Sequence, residues 1–269
     1  MPKTVDIKCF PIAQTAMNYE ARDRWLSSLG VNADLYDGAD THAEDLIGAA
    51  GKRCYMSFEP GLNKNITKIR KDWTDYFDNI LKSGHGSVFE HATWTWAIEG
   101  CSRVFTGEMN RHRAGVAISE GSMRYIRFDN IGYWLPLSIA PVDGLDEDEQ
   151  ARRQETRLLF ESVFTKVECA YRELERIWDI NNMKDFKRKK QLTSMFRRII
   201  PMGVATGGLW TFNGRALRHI MALRTTPEAE EEIAYVVGMI AKHMVETECR
   251  LFGDFENRDG CWVPKYQKV

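Results

Sequence analysis

The longest pattern in the sequence is a stripe of apolar residues at helical spacing. Its members recur every three or four residues and therefore predict one continuous helix of about five turns. They are Phe160, Phe164, Val167, Tyr171, Leu174 and Trp178. An Asn/Asp-rich stretch at 179–182 ends the pattern, and the basic stretch 184–200 again has helical spacing. The two segments predict a long helical hairpin over residues 143–195.

Other segments supply strands and further helices. VDIKCF at 5–10 alternates, and in HATWTWAI at 91–98 two threonines alternate with two tryptophans. Both patterns are typical of strands with two different faces. Helical spacing predicts helices over 67–81, 208–223 and 227–252. With strands early and helices late, the order favours an α+β fold.

Length and composition exclude several classes of protein. The 269 residues are 43% hydrophobic and 28% charged, which is ordinary globular usage, so wholesale disorder is excluded. The 37 Lys and Arg balance 38 Asp and Glu, so overall charge does not favour nucleic acid or membrane partners. The six cysteines form no CxxC pair, and neither a signal peptide nor a long apolar segment is present. We expect one cytoplasmic domain over 1–269.

The segment RHRAGVAISEGSMRY at 111–125 has the composition of an anion site. Arg111, Arg113 and Arg124 provide guanidinium groups that match phosphate geometry, and Ser122 with nearby backbone N–H groups completes a cradle. The competing interpretation is a solvated turn whose arginines have no ligand.

Four other features favour structural roles. His85, His91 and His112 lack the spacing of metal ligands, so no metal site is predicted. GVATGG at 203–208 lacks the dinucleotide-binding pattern, and we expect a turn or helix-packing segment there. The basic run 187–190 is expected to be a solvated face at the hairpin tip rather than a nucleic-acid surface. Cys54 and Cys101 are expected to be packing residues.

Four blocks in order resemble the flavin-dependent thymidylate synthase (ThyX) family. The motif Arg111-His112-Arg113 is followed by Glu120-x-Ser122-x-Arg124-Tyr125, as in the family signature. Upstream, HGSVFEH at 85–91 resembles the family's H-x-(S/T)-x-x-EH block. Downstream, NGRAL at 213–217 and the Leu-Arg pair at 223–224 resemble its N-x-R-(S/A)-L…LR helix. The blocks span about 150 residues.

The resemblance implies a central sheet with flanking helices, here elaborated by the long hairpin. It also implies a homotetramer whose active sites are shared between subunits. Such an enzyme binds FAD, takes electrons from NADPH, and places a carbon from methylenetetrahydrofolate on C5 of a uridylate.

The resemblance also implies roles for individual residues. Cofactor-binding positions are Ser87, Glu90, Arg111, His112, Arg113, Ala114, Asn213, His219, Leu223 and Glu228. Nucleotide-binding positions are Glu108, Arg111, Glu120, Ser122, Met123, Arg124, Arg197 and Arg224. Arg224 is predicted to be catalytic, because a permanently charged donor suits the stabilisation of negative charge on the uracil carbonyl.

Four departures from the family pattern affect the predicted substrate. The interval between Arg113 and Ser122 has one residue more than the family motif, and Glu108 replaces a common Gln. Two further departures are His219 in place of Asn and Glu228 in place of His. The first two concern the nucleotide pocket and favour the branch in polyoxin-type antibiotic pathways, which methylates UMP as well as dUMP.

Two alternatives remain open at this stage. One is an ordinary thymidylate synthase that accepts dUMP alone. The other is a catalytically silent protein of the same fold that binds RNA through the basic stretch 184–198. Flavin content and salt-dependent RNA affinity distinguish the enzyme from the binding protein.

Overall fold

A computed structural model describes residues 3–269 apart from 37, 60, 129 and 131. Its strands are β1 Lys3–Val5, β2 Lys8–Gln14, β3 Thr93–Ser102, β4 Val116–Glu120, β5 Gly132–Trp134, β6 Ala205–Asn213, β7 Phe255–Arg258 and β8 Cys261–Pro264. Its α-helices are α1 Tyr19–Ser28, α2 His42–Tyr55, α3 Trp73–Lys82, α4 Arg103–Met109, α5 Glu147–Ile177, α6 Phe186–Phe196, α7 Gly214–Arg224, α8 Glu231–Thr247 and α9 Cys249–Phe252. Short 3-10 helices include Gly86–His91 and Arg197–Ile199. The predicted α+β class is confirmed.

The central sheet is antiparallel, with the strand order β2-β3-β6-β4. On β3, the alternation predicted from the sequence places Trp94 and Trp96 on the buried face. They lie opposite Phe212 and Trp210 of β6, which are also buried. These large cross-strand pairs fix the register, because a slip of one residue would turn all four rings toward the other face.

Helices cover this face of the sheet. In α8 the predicted apolar stripe is buried, and it packs with α7 and β3 in the larger of two hydrophobic clusters. Its members are Ile233, Val237, Ile240 and Met244. Each of these side chains contributes about 2 kcal/mol when it is removed from water.

The predicted helical hairpin is confirmed, with α5 and α6 as its two arms. Asp146 and Asp185 cap the helix N-termini by accepting hydrogen bonds from backbone N–H groups. Side chains of both arms meet in a second buried cluster, and the described residues of that cluster include Phe164, Tyr171, Leu192 and Phe196. The hairpin therefore has a hydrophobic cluster of its own, to which Phe128 and Tyr133 also belong.

The prediction of a helix over 208–223 is wrong for residues 208–213. Residues 205–213 form β6, and the helix begins only at Gly214. Trp210 and Phe212 are buried while Leu209 is exposed, which is the alternation of a strand. The turn predicted for 203–208 is also wrong over 205–208, since these residues belong to the same strand.

Several predicted boundaries also need correction. Segment 5–10 is divided between β1 and β2, so it is not one continuous strand. The helix predicted over 67–81 begins at Trp73, because Asp72 caps it. The helix predicted over 227–252 is divided into α8 and α9. Strands are not confined to the early part of the chain, since β7 and β8 lie near its C-terminal end.

Candidate active site

The exposed face of α7 carries predicted cofactor residues. Arg215, His219 and Leu223 follow one another at intervals of four, and all three are exposed. Eight helical residues span about 12 Å, so the three side chains form a row along the helix. The opposite face packs into the core through Leu217, Ile220 and Met221. Arg215 was not predicted to be a site residue, although it belongs to the NGRAL motif block.

The start of α7 is joined to the arginine-rich segment. Asn213 caps the helix by accepting a hydrogen bond from the backbone N–H of Ala216 at 2.8 Å. The backbone N–H of Asn213 donates a hydrogen bond to the carbonyl of Gly115 at 2.8 Å. Gly115 has a φ of +71°, and a Cβ there would lie within 2.6 Å of the Asn213 side chain. Glycine is therefore required for this contact between two of the motif blocks.

A cavity of about 430 Å³ opens beside the N-terminal end of α7. Ser87 and Arg215 line it together with Tyr55 and His85, whose rings are stacked with centroids 5.3 Å apart. Arg215 also donates to Glu90 at 2.7 Å. The cavity thus combines a cation, a hydroxyl group and exposed aromatic surface, and its size suits part of an organic ligand.

Arg224, the predicted catalytic residue, is held by two neighbours at the C-terminal end of α7. Its Nη1 donates to Oε2 of Glu108 at 2.7 Å, and its Nε donates to Nε2 of His112 at 2.9 Å. The second bond requires a neutral His112 whose ring proton is on Nδ1. Burial, followed by the charge of Arg224, lowers the pKa of His112 below 6.5. The His112 ring lies 6.1 Å from that of His219.

Helix α4 connects Arg224 to the predicted nucleotide residue Glu120. Glu108 lies on this helix, and Arg103 at its first turn forms an ion pair with Glu120. Asn110, just after the helix, donates to Oε2 of Glu120 at 2.9 Å. Two side chains of the same chain therefore already bind the Glu120 carboxylate. Arg103 and Asn110 were not predicted from the sequence, since neither belongs to a motif block.

Four arginines remain available for an anion. In the part of the chain that the structure describes, their exposed guanidinium groups have no carboxylate within 4 Å. They are Arg111, Arg113, Arg124 and Arg197. Such groups bind phosphates through paired N–H donors.

The interval between Arg113 and Ser122, which has one residue more than the family motif, is mainly a strand. Val116 to Glu120 form β4, which pairs without a bulge from Val116 opposite Phe212 to Glu120 opposite Gly208. Only residues 114, 115 and 121 of this interval therefore lie outside the strand.

The predicted residues do not all meet in one pocket of a single chain. Ser87 lines the cavity described above, His219 and Leu223 line a second, and Glu120 lines a third. Glu228 is exposed in the connection between α7 and α8. Ala114 is exposed in the turn before β4.

The two cysteines near the motif blocks differ in their exposure. Cys101 is buried, as expected for a packing residue, and its burial raises the pKa of the thiol. Cys54 is exposed and lines the first cavity, so the expectation of a packing role is wrong there. Within the described residues, no group of three His, Cys, Asp or Glu side chains is arranged to hold a metal ion.

The fold is shared with solved structures of a thymidylate synthase and of a nucleotide methylase. Thymidylate synthase X from Helicobacter pylori, solved with FAD and dUMP, has a TM-score of 0.53 and 18% sequence identity, with 93% of this chain and 98% of that chain covered. PolB from Streptomyces cacaoi, a UMP/dUMP methylase solved with 5-Br UMP, has a TM-score of 0.60 and 17% identity, with coverage of 91% and 92%.

Sequence comparison defines the family. The model of the thymidylate synthase complementing protein family matches residues 38–247. Flavin-dependent thymidylate synthase from Corynebacterium diphtheriae is 32% identical over 224 residues, which are 82% of this chain and 82% of the relative. The chain therefore belongs to the flavin-dependent thymidylate synthase family, and it is an FAD-dependent enzyme of the methyl-transferring type. The resemblance of the four motif blocks is confirmed.

Proposed function

We propose that this enzyme methylates C5 of a uridine monophosphate, dUMP and UMP alike. Methylenetetrahydrofolate is the carbon donor, and NADPH is the reductant. The observation that carries the proposal is the fixed guanidinium of Arg224, with anion-binding arginines in the same motif blocks. Family membership supports the reaction type, and Glu108 supports the wider choice of nucleotide.

The residues on and beside α7 offer the kinds of chemical group that FAD needs. Its pyrophosphate needs cations and hydroxyl groups, which Arg111, Arg113, Arg215 and Ser87 provide. Its rings need flat or apolar surfaces, such as those of His219 and Leu223 in the row on α7. Bound FAD supplies the redox chemistry of the carbon transfer. Asn213 and Gly115 keep the arginine-rich segment against the helix that carries these side chains.

The nucleotide is assigned to the segment after β4. Arg124 and Arg197 are exposed cations suited to its phosphate, and Ser122 with the backbone of Met123 adds hydrogen-bonding groups. Glu120 has a supporting role, because Arg103 and Asn110 already engage its carboxylate. It keeps the end of β4, and with it the start of this segment, against α4.

Arg224 stabilises negative charge on the uracil carbonyl oxygen while C5 attacks the carbon donor. A donor held in place before the reaction needs little reorganisation, which is the main source of electrostatic catalysis. His112 accepts from Nε and Glu108 from Nη1, so the remaining N–H groups of Arg224 are free to donate to a substrate. A neutral His112 also avoids repulsion of Arg224.

Glu108 supports the use of UMP. Its Oε2 is engaged by Arg224, while its side chain remains 36% exposed. The other carboxylate oxygen can accept a hydrogen bond from a ribose 2′-hydroxyl, and charged acceptors bind hydroxyl groups more strongly than neutral ones. PolB, which shares the fold, is a UMP/dUMP methylase by name.

A homotetramer with shared active sites is part of the proposal. Ser87 and Glu120 line different cavities of one chain, and a second copy that brings the nucleotide segment to the α7 row would complete the site. No helix in the described ranges is long and apolar enough to cross a membrane. A cytoplasmic location is part of the proposal and accords with the six cysteines, which are all free thiols.

The decisive experiment is a competition assay. The FAD-loaded enzyme is given NADPH, methylenetetrahydrofolate and equal amounts of dUMP and UMP. The products are identified and quantified by mass spectrometry. We expect a gain of one methyl group on both nucleotides. Methylation of dUMP alone would restrict the function to thymidylate synthesis, and methylation of neither would overturn the proposal.

The same preparation tests the RNA-binding alternative. An enzyme of this family takes up flavin in proportion to protein, and its flavin absorbance follows the protein through gel filtration. A colourless protein with salt-dependent RNA affinity would instead support binding through 184–198, since phosphate contacts weaken as salt rises.

A further inference from the structure

The segment from Gly121 to Phe128, here called the nucleotide loop, has few internal hydrogen bonds. The backbone N–H groups of Tyr125 and Ile126 both donate to the carbonyl of Ser122 at 3.0 Å. The segment belongs to no strand or helix. Its conformation must therefore depend largely on contacts with other parts of the chain.

One of these contacts comes from the buried Thr193 on α6. Its side chain is 4% exposed, and Oγ1 lies 2.8 Å from the carbonyl oxygen of Arg124 in the nucleotide loop. Two carbonyls of its own helix are farther away, at 3.1 Å for Lys189 and 3.2 Å for Lys190. A hydroxyl group has one hydrogen to donate, and the shortest bond is the one that leaves the helix.

Other parts of the hairpin hold the rest of the nucleotide loop. Arg127 donates to Asn181 in the connection between the two helices at 2.6 Å. Phe128 packs edge-on against Tyr171 of α5, with ring centroids 6.0 Å apart. The loop is therefore fixed by both helices and by their connection.

A further contact lies on the surface. Tyr125 stacks on Phe186 at the start of α6, with centroids 6.4 Å apart, and Lys190 lies 4.7 Å from the centre of the Tyr125 ring. All of these partners are supplied by one structural unit, the α5–α6 hairpin with its own buried cluster.

We propose that the hairpin sets the conformation of the nucleotide loop and that Thr193 is a positioning residue for nucleotide binding. It acts through the carbonyl of Arg124 and touches no substrate. This inference rests on the proposed function, which assigns Ser122, Met123 and Arg124 to the nucleotide. Ordering the backbone of Arg124 in advance reduces the entropy that its exposed side chain and the loop lose when the nucleotide binds.

The test compares dUMP affinity in FAD-loaded variants by equilibrium dialysis, with turnover measured in parallel. Thr193→Val keeps the shape and removes the hydroxyl. We expect the Kd for dUMP to rise about tenfold, with FAD content unchanged and kcat reduced less than threefold, because Arg224 lies on another helix. Thr193→Ser should restore the Kd to within about threefold of wild type.

A matched control is available on the other arm of the hairpin. Thr165 of α5 donates to the carbonyl of Glu161 at 2.8 Å, a bond that stays within its helix. Thr165→Val should leave the Kd for dUMP unchanged. An equal rise of the Kd in this variant would show a general effect of destabilising the hairpin and would overturn the role of Thr193.

A second variant decides the matter if Thr193→Val does not fold. Phe186 is 66% exposed, so Phe186→Ala removes the stack on Tyr125 without opening the core. It should raise the Kd for dUMP about threefold. An unchanged Kd in the folded variants, with a wild type that binds and methylates dUMP, overturns the inference alone. A wild type that neither binds nor methylates uridine monophosphates overturns the proposed function instead.

Discussion

The guanidinium of Arg224 lies 2.7 Å from the carboxylate of Glu108, so an acidic side chain is paired with the proposed catalytic arginine. The same guanidinium donates to His112, which lies in the arginine-rich segment. Helix α4 and the segment that follows it thus each supply a partner for a side chain that lies 116 and 112 residues further along the chain. This convergence fixes the direction of Arg224 before a substrate binds, and it makes the contribution of each partner measurable.

Replacement of Arg224 should separate chemistry from flavin binding. Arg224→Ala removes a donor that is fixed toward the substrate, and losses of this kind lower kcat by about 10²- to 10³-fold. FAD content should be unchanged, because the groups that we assign to FAD do not include the guanidinium of Arg224. Steady-state assays of thymidylate formation, together with flavin absorbance, check both parts.

The control for this variant is Arg198→Ala. Arg198 is exposed and donates to the carbonyl of Ser194 within the same stretch of chain. It should retain wild-type turnover. A kcat for Arg224→Ala within tenfold of wild type would contradict the proposed role of this residue.

Glu108→Gln should change the choice of nucleotide. The substitution keeps the shape and removes the charge, so a hydrogen bond from a ribose hydroxyl would become weaker. We expect the ratio of kcat/KM for UMP to that for dUMP to fall about five- to tenfold. Any effect on Arg224 itself lowers both rates and cancels in the ratio.

Glu246→Gln serves as a charge-matched control, since Glu246 is exposed on α8. It should leave the ratio unchanged. The same ratio in Glu108→Gln as in wild type would remove Glu108 from the explanation of nucleotide choice. It would leave the reaction itself unaffected.

Sequence reasoning predicted the elements with a strong period and the residues in motif blocks. The stripe in α5 and the Trp-Thr alternation in β3 each have one dominant repeat, and both were predicted correctly. It failed at β6, where glycines weaken the alternation. A Cβ at Gly208 would lie 2.5 Å from the backbone oxygen of Ser119 on β4, so the close approach of the two strands requires glycine there. That requirement depends on a neighbouring strand, which local sequence does not show.

The candidate site has the same limit. Arg215 could have been found, since it belongs to a motif block. Arg103 and Asn110 could not, because their partner Glu120 is reached only through the pairing of β4 with β6. The same pairing limits what a deletion in the interval between Arg113 and Ser122 can test. Deletion of Val116 would shift β4 by one residue and turn its side chains to the opposite faces, so it cannot test loop length alone.

His112 should make stability depend on pH on the acidic side. Its folded pKa is lowered, chiefly by burial and then by Arg224, so the unfolded chain takes up the proton first as pH falls. The stability that depends on neutral His112 is therefore present above pH 6.5 and is lost as pH falls through the folded pKa. His112→Gln should lose less stability than wild type between about pH 7 and pH 5. Urea unfolding across this range measures the difference, and parallel curves for the two proteins would contradict the prediction.

Arg218 and Asp254 should be among the largest single contributions to stability. Their side chains are 3% and 5% exposed and form two hydrogen bonds, at 2.6 and 2.8 Å. Loss of one partner leaves a buried charge unpaired, so Asp254→Ala should lower the free energy of unfolding by about 3–5 kcal/mol. The exposed pair of Arg258 and Glu256 provides the control.

Glu256→Ala should cost less than about 1 kcal/mol, because water already solvates both of its charges. The difference between the two ion pairs follows from their burial. Arg218 lies on the buried side of α7, so the pair with Asp254 anchors the helix whose opposite face carries Arg215 and His219. Asp254→Ala should therefore also lower FAD retention at temperatures where the folded fraction remains high. Urea titration and flavin release measured on the same samples would show both effects, and a loss below about 1 kcal/mol would contradict the assignment.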